Sequence, residues 1–135
     1  IVGAKMKLAE VYQKYDSTTD FLLTLKNEVV KLAEGKPKFK YTTESYAGCF
    51  YNKRATKNGI YTGPDCKGCI LGQALQNMGW TDDEEMNSSA TINVLLKRYI
   101  KSVDFSEFNI VLELQTVQSQ QDHTASWGEA IKSFT

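Results

Sequence analysis

The stretch from Ser17 to Pro37 leaves the chain little choice of local structure. Ser17, Thr18, Thr19 and Asp20 offer side-chain oxygens that cap a helix start. Phe21, Leu22, Leu25, Val29, Leu32 and Ala33 then recur at helical spacing as an apolar stripe, and Gly35 followed by Pro37 closes the helix. Upstream, Leu8, Val11, Tyr12 and Tyr15 also fall at helical spacing, but Val and Tyr suit a strand equally well, so that segment stays open.

A second helix start is written into Asp65-Cys66-Lys67-Gly68-Cys69-Ile70-Leu71-Gly72-Gln73-Ala74-Leu75. A Gly/Pro loop runs into an amphipathic helix from about Gly68 to Met78, stopped by Gly79. This places Cys69 at a helix N-terminus, where exposed amides and the helix dipole stabilise a thiolate, a metal or an anion. Between the two helices the aromatics Phe39, Tyr41, Tyr46, Phe50, Tyr51 and Tyr61 concentrate, and Asn58-Gly59 between Lys57 and Ile60 is a two-residue hairpin signal. The pattern predicts a small antiparallel hairpin near 47–62. Thr81-Asp82-Asp83-Glu84 reads as a capping box, and Ser88-Ser89 as the cap of a helix carrying Ile92, Leu95, Leu96, Tyr99 and Ile100. Phe105 to Val117 is compatible with one long helix, and Ala125 to Phe134 with a short terminal one. The expected class is therefore α+β: a mainly helical single domain with one small antiparallel β-hairpin.

A chain of 135 residues supports one core and not two. Residues 1 to 5 precede the first methionine and read as an addition to the native sequence, so residues 1–16 are taken as an N-terminal extension and 17–135 as the globular domain. With 41% hydrophobic and 24% charged residues and no low-complexity tract, the composition is that of an ordinary folded protein. No apolar run reaches the ~18 residues of a membrane span, and the first residues lack a signal-peptide core, so the expectation is a cytoplasmic protein with no membrane partner. Three cysteines cannot all pair within one chain, which favours reduced thiols.

Formal net charge is zero but uneven: residues 1–57 hold eleven Lys/Arg against six Asp/Glu, and residues 58–135 hold five against ten. A dipole of this kind suits head-to-tail homo-oligomers or an anion on the basic half, while Lys36, Lys38 and Lys40 also read as a solvated segment. Neutrality overall argues against non-specific duplex DNA binding.

Three constellations could carry chemistry. The Cys66/Cys69 pair has the two-residue spacing that lets two sulfurs face one metal, and Cys49 with His123 would complete a Cys₃His zinc set, although the long separation to His123 matches no zinc-finger spacing. A cysteine enzyme would use Cys69 as nucleophile, His123 as base and Asp122 or Gln121 to orient it. Gln118 and Gln121 beside Trp127, with Lys53, Arg54 and Tyr61, would read a nucleotide-like ligand through amide pairing and stacking. Against each stands a plain structural use: cysteines packing a loop on a helix, a surface histidine, a polar helix face with Trp127 as core anchor. Neither a P-loop nor a GxGxxG string is present.

The string Cys69-Ile70-Leu71-Gly72-Gln73-Ala74-Leu75, with Val117-Gln118, Gln121-Asp122, Trp127 and Ala130-Ile131 after it, resembles a group of small bacterial and phage proteins. The resemblance covers about the last ninety residues and implies no assigned activity. It implies a phage or mobile-element origin and a small binder acting on host components. The expectation is a non-catalytic binding protein for a small anionic or nucleotide-like ligand or a host protein, with the cysteine enzyme and the zinc module as alternatives.

Overall fold

The structure, a computed structural model, describes residues 5–40, 51, 68–88, 90–123 and 125–134. Its elements are α1 (Leu8–Gln13), α2 (Thr18–Gly35), α3 (Ile70–Asn77), α4 (Asp83–Met86), α5 (Ile92–Tyr99), a 3₁₀ turn (Phe105–Glu107), α6 (Asn109–Asp122), α7 (Trp127–Ala130) and a closing 3₁₀ turn (Ile131–Ser133). α2 forms as its caps predict: the Ser17 hydroxyl accepts the Asp20 N–H at 3.1 Å, and the helix ends at Gly35 before Pro37. Phe21, Leu22, Leu25, Val29 and Ala33 are buried along it. Each such large apolar side chain contributes about 1.5–3 kcal/mol on leaving water. α2 lies against α3 and α6, and α6 packs between α5 and α7.

One core joins these helices. Leu8 and Val11 of α1 belong to it, so the N-terminal segment from Leu8 onward is part of the packed unit. That segment is sewn to the α3–α4 connection: the Met6 N–H donates to Thr81 Oγ1 at 2.8 Å, Thr81 N–H donates to the Met6 carbonyl at 3.1 Å, and Lys14 Nζ donates to the Met78 carbonyl at 2.8 Å. Gly79, with φ of 114°, makes the turn there in a conformation L side chains rarely adopt.

The α+β class is corrected to all-α. Among the described residues there is no strand; the extended pairing they hold is one isolated antiparallel bridge between Lys40 and Ser126. The hairpin expected near 47–62 lies outside the described residues except for Tyr51, which is in no strand and whose ring is buried in the helical core. The aromatics read as sheet formers serve helix packing where they are seen. Tyr51 meets Trp80 edge-on at 5.9 Å, and Phe39 lies 4.5 Å from Trp127, centroid to centroid.

Two boundaries also move. α5 starts at Ile92, not after Ser88-Ser89, because the Ser88 hydroxyl closes a local turn on Ala90 N–H at 3.2 Å. The expected long helix of the last third is broken at Phe108. Asp104 caps a separate 3₁₀ turn through Ser106, which turns Phe105 into the core before α6 begins.

Candidate functional site

Among the described residues, Cys69, Gln118, Gln121 and Trp127, all singled out from the sequence, are spent inside the fold. α6 presents Val111, Leu114, Val117, Gln118 and Gln121 to the interior, so both glutamines continue an apolar stripe. Gln118 is 2% and Gln121 0% exposed. The Gln121 side-chain carbonyl accepts Ile70 N–H at 2.7 Å and the Trp127 indole N–H at 3.1 Å, while its amide donates to Asp122 Oδ1 at 3.0 Å. The Gln118 carbonyl accepts Ile92 N–H at 2.8 Å, and its amide donates to the Tyr51 hydroxyl at 2.8 Å. The same device recurs at α1, where Glu85 Oε1 accepts Leu8 N–H at 2.8 Å and the Trp80 indole N–H at 3.0 Å.

Ile70, Ile92 and Leu8 are the first residues of α3, α5 and α1, whose leading N–H groups have no partner within their own helix. Their local caps are weak: the Lys7 and Thr91 side chains make no capping bond, and Cys69 offers only sulfur. Buried acceptors from elsewhere in the chain take over the task. α2 at Ser17 and α4 at Asp82 have a local oxygen cap; α7 has one at Ser126 and also gives its first two N–H groups to the Phe39 and Pro37 carbonyls. Gln118 and Gln121, read from sequence as ligand contacts, thus fix the starts of α5 and α3, and Trp127, read the same way, gives its indole N–H to Gln121.

Cys69 is the N-cap of α3, as the sequence indicates, and its sulfur accepts Gly72 N–H at 3.4 Å. It is a free, fully buried thiol, so the paired-cysteine reading is corrected: the N-cap geometry turns this side chain back over the first helical turn and into the core. His123 follows α6 as its C-cap, exposed, with Nδ1 2.7 Å from the Ser119 carbonyl of the preceding turn. Asp122 is half-buried, and burial pushes its carboxyl up to about 6 against the opposing pull of the Gln121 amide and His123. Among the described residues no group of three or more His, Cys, Asp or Glu side chains is placed to hold a metal. Cys49, Cys66, Lys53, Arg54 and Tyr61 lie outside the described residues.

A different site opens between α5, the 3₁₀ turn and α6. A cleft of about 240 Å³ is lined by Asn93, Lys97, Asp104, Phe105, Ser106, Val111, Leu112 and Gln115. Asn93 and Lys97 stand one turn apart on α5; Val111, Leu112 and Gln115 face them from α6. Leu112 is 58% exposed, the most open of the large apolar side chains at the described surface. Asp104 is held ionised: the Ser106 hydroxyl and N–H donate to its Oδ1 at 2.6 and 3.1 Å, and the Lys97 charge adds a smaller pull, so its carboxyl sits below the usual range. Lys97 makes no ion pair or hydrogen bond among the described residues. The sequence carried two faint signals of this site. Leu112 sits off the buried stripe of α6, and Asp104-x-Ser106 is a cap pattern inside a segment otherwise read as helix.

Compared with protein-family models, curated proteins and solved structures, the chain has no significant match in any of the three. Among the described residues no helix is long and apolar enough to cross a membrane.

Proposed function

We propose that the protein is a non-catalytic binding protein whose ligand seat is the cleft between α5 and α6. One observation carries this reading. Exposed Leu112 and the Phe105 and Val111 side chains form an apolar wall, and Lys97, Asp104, Asn93 and Gln115 converge on it with one cation, one anion and two amides. Binding sites combine an apolar lining with a few placed polar groups in this way. The thiol that a cysteine enzyme would use is sealed in the core, and the amides and indole that would read a nucleotide are committed to helix starts. At about 240 Å³ the cleft is just below the range of about 300–1,000 Å³ that takes drug-sized ligands, so its occupant is a small molecule.

Native mass spectrometry of freshly purified protein, set against its denatured mass, tests this directly. The expected result is a small non-covalent adduct that disappears in Leu112→Asp, whose exposed position leaves folding intact. Absence of any adduct, together with no saturable response of cleft residues to a fragment panel by NMR, would sink the proposal.

A further inference from the structure

Resting on the cleft as ligand seat, we infer that it recognises a zwitterion: a free α-amino acid with an apolar side chain. The lining carries an ammonium and a carboxylate on opposite elements, Lys97 on α5 and Asp104 at the 3₁₀ turn, with an apolar wall below them. They do not form a salt bridge with each other, so each charge keeps the capacity to meet a ligand group of opposite sign.

Both charges are prepared for that task. Asp104 takes its two Ser106 hydrogen bonds on Oδ1, which fixes the carboxylate plane and leaves Oδ2 without a bond among the described residues. Lys97 keeps all three N–H donors. A ligand carrying only a carboxylate would meet Lys97 at the cost of facing Asp104, and a purely cationic one would meet the reverse conflict. A ligand that carries both charges satisfies the pair, and a free α-amino acid is a small molecule that joins both charges to an apolar group. Asn93, whose side-chain carbonyl is engaged by the Thr91 hydroxyl at 2.6 Å, has its NH₂ to offer a carboxylate oxygen beside Lys97. Gln115 brings a second amide from the facing helix. Leu112, backed by the buried Phe105 and Val111, receives an aliphatic side chain, and the volume admits one small molecule of this kind.

The test uses the full chain, isotopically labelled, and four probes followed by NMR: L-leucine, N-acetyl-L-leucine, L-leucinamide and the uncharged N-acetyl-L-leucine N-methylamide. L-leucine is expected to shift Lys97, Phe105, Leu112 and Gln115 saturably. Blocking its amine or its carboxylate is expected to weaken binding tenfold or more. Lys97→Gln is expected to abolish the difference between L-leucine and L-leucinamide, and Asp104→Asn that between L-leucine and its N-acetyl form. Equal binding of the uncharged analogue would overturn the zwitterion inference while leaving the cleft as an apolar ligand seat. No shift with any probe would overturn the inference; the seat itself then stands or falls on the mass-spectrometric adduct. The analogues report on ligand charge without altering the protein, so a misfolded Asp104→Asn does not leave the question open.

Discussion

The side-chain carbonyl of Gln121 accepts the backbone N–H of Ile70 at 2.7 Å across fifty-one residues of chain, closing the start of α3 onto the end of α6. The same oxygen takes the Trp127 indole N–H, so one buried acceptor satisfies two buried donors. Gln121→Leu keeps the bulk and removes the acceptor. A buried donor left unpaired costs about 1–3 kcal/mol, so the variant is expected to lose roughly 2–5 kcal/mol by urea unfolding. Gln120→Leu, on the exposed face of the same helix, should change stability by no more than about 0.5 kcal/mol. Equal midpoints for the two variants would remove the capping role.

Gly72 is required by contact. A Cβ built there falls on the backbone of Tyr51, whose ring and hydroxyl are locked by Trp80, Gln118 and the Ala90 carbonyl at 2.5 Å. Moving Tyr51 would disturb those side-chain contacts, so Gly72→Ala, which in an exposed helix would stabilise, should destabilise here by the roughly 1–3 kcal/mol typical of overpacking. A thermal melt that rises in Gly72→Ala would show that α3 does not press on Tyr51 as described.

Asp122 makes stability depend on pH with an unusual sign. Folded, it holds its proton up to about pH 6; unfolded, it releases it near 3.8. Between those values the native state binds more protons than the unfolded state, so this group's contribution to stability falls as pH rises through that window. A shift of about two units corresponds to at most about 3 kcal/mol, and screening of the half-exposed carboxyl reduces this to about 1–2 kcal/mol. Asp122→Asn retains an acceptor for the Gln121 amide and does not titrate. It is expected to be more stable than the parent above pH 7 and to converge with it near pH 4. Parallel stability curves across that range would contradict the raised carboxyl.

Much of the helical frame was legible because its signals are local. Ser17 and Gly35 bracket α2, Cys69 and Gly79 bracket α3 and its turn, and apolar spacing marks α5 and α6. The glutamine acceptors were harder to see, because their partners lie tens of residues away and a Gln on a helix reads as surface. The available clue was register: residues 111, 114, 118 and 121 form one face, so two polar residues occupy buried positions. The hairpin expectation failed as a class assignment because aromatic enrichment reports burial, and Tyr51 and Phe39 bury themselves against Trp80 and Trp127. The cleft left only two faint marks, Leu112 off the buried stripe of α6 and the Asp104-x-Ser106 cap, and neither points to a ligand by itself. It depends on how α5 meets α6 over the Asp104 turn, and no residue in it is unusual by itself.

Cys69 separates a structural thiol from a reactive one. Its sulfur has no exposure and holds the first turn of α3 through Gly72 N–H, a weak bond for which a hydroxyl is the better acceptor. Cys69→Ser is therefore expected to keep the fold with stability within about 1 kcal/mol of the parent, and Cys69→Ala to lose about 1 kcal/mol with the cap. Neither should alter ligand binding at the α5–α6 cleft, which Cys69 does not line. Alkylation of native protein gives the second readout: iodoacetamide should modify Cys69 only at the rate of local opening and promptly once denaturant is added. Cleavage after Lys67 puts Cys66 and Cys69 on separate peptides, so mass mapping assigns the label to each thiol. Prompt labelling of Cys69 under native conditions would mean that the thiol reaches solvent, and the cysteine chemistry read from its helix-terminal position would return as the leading account.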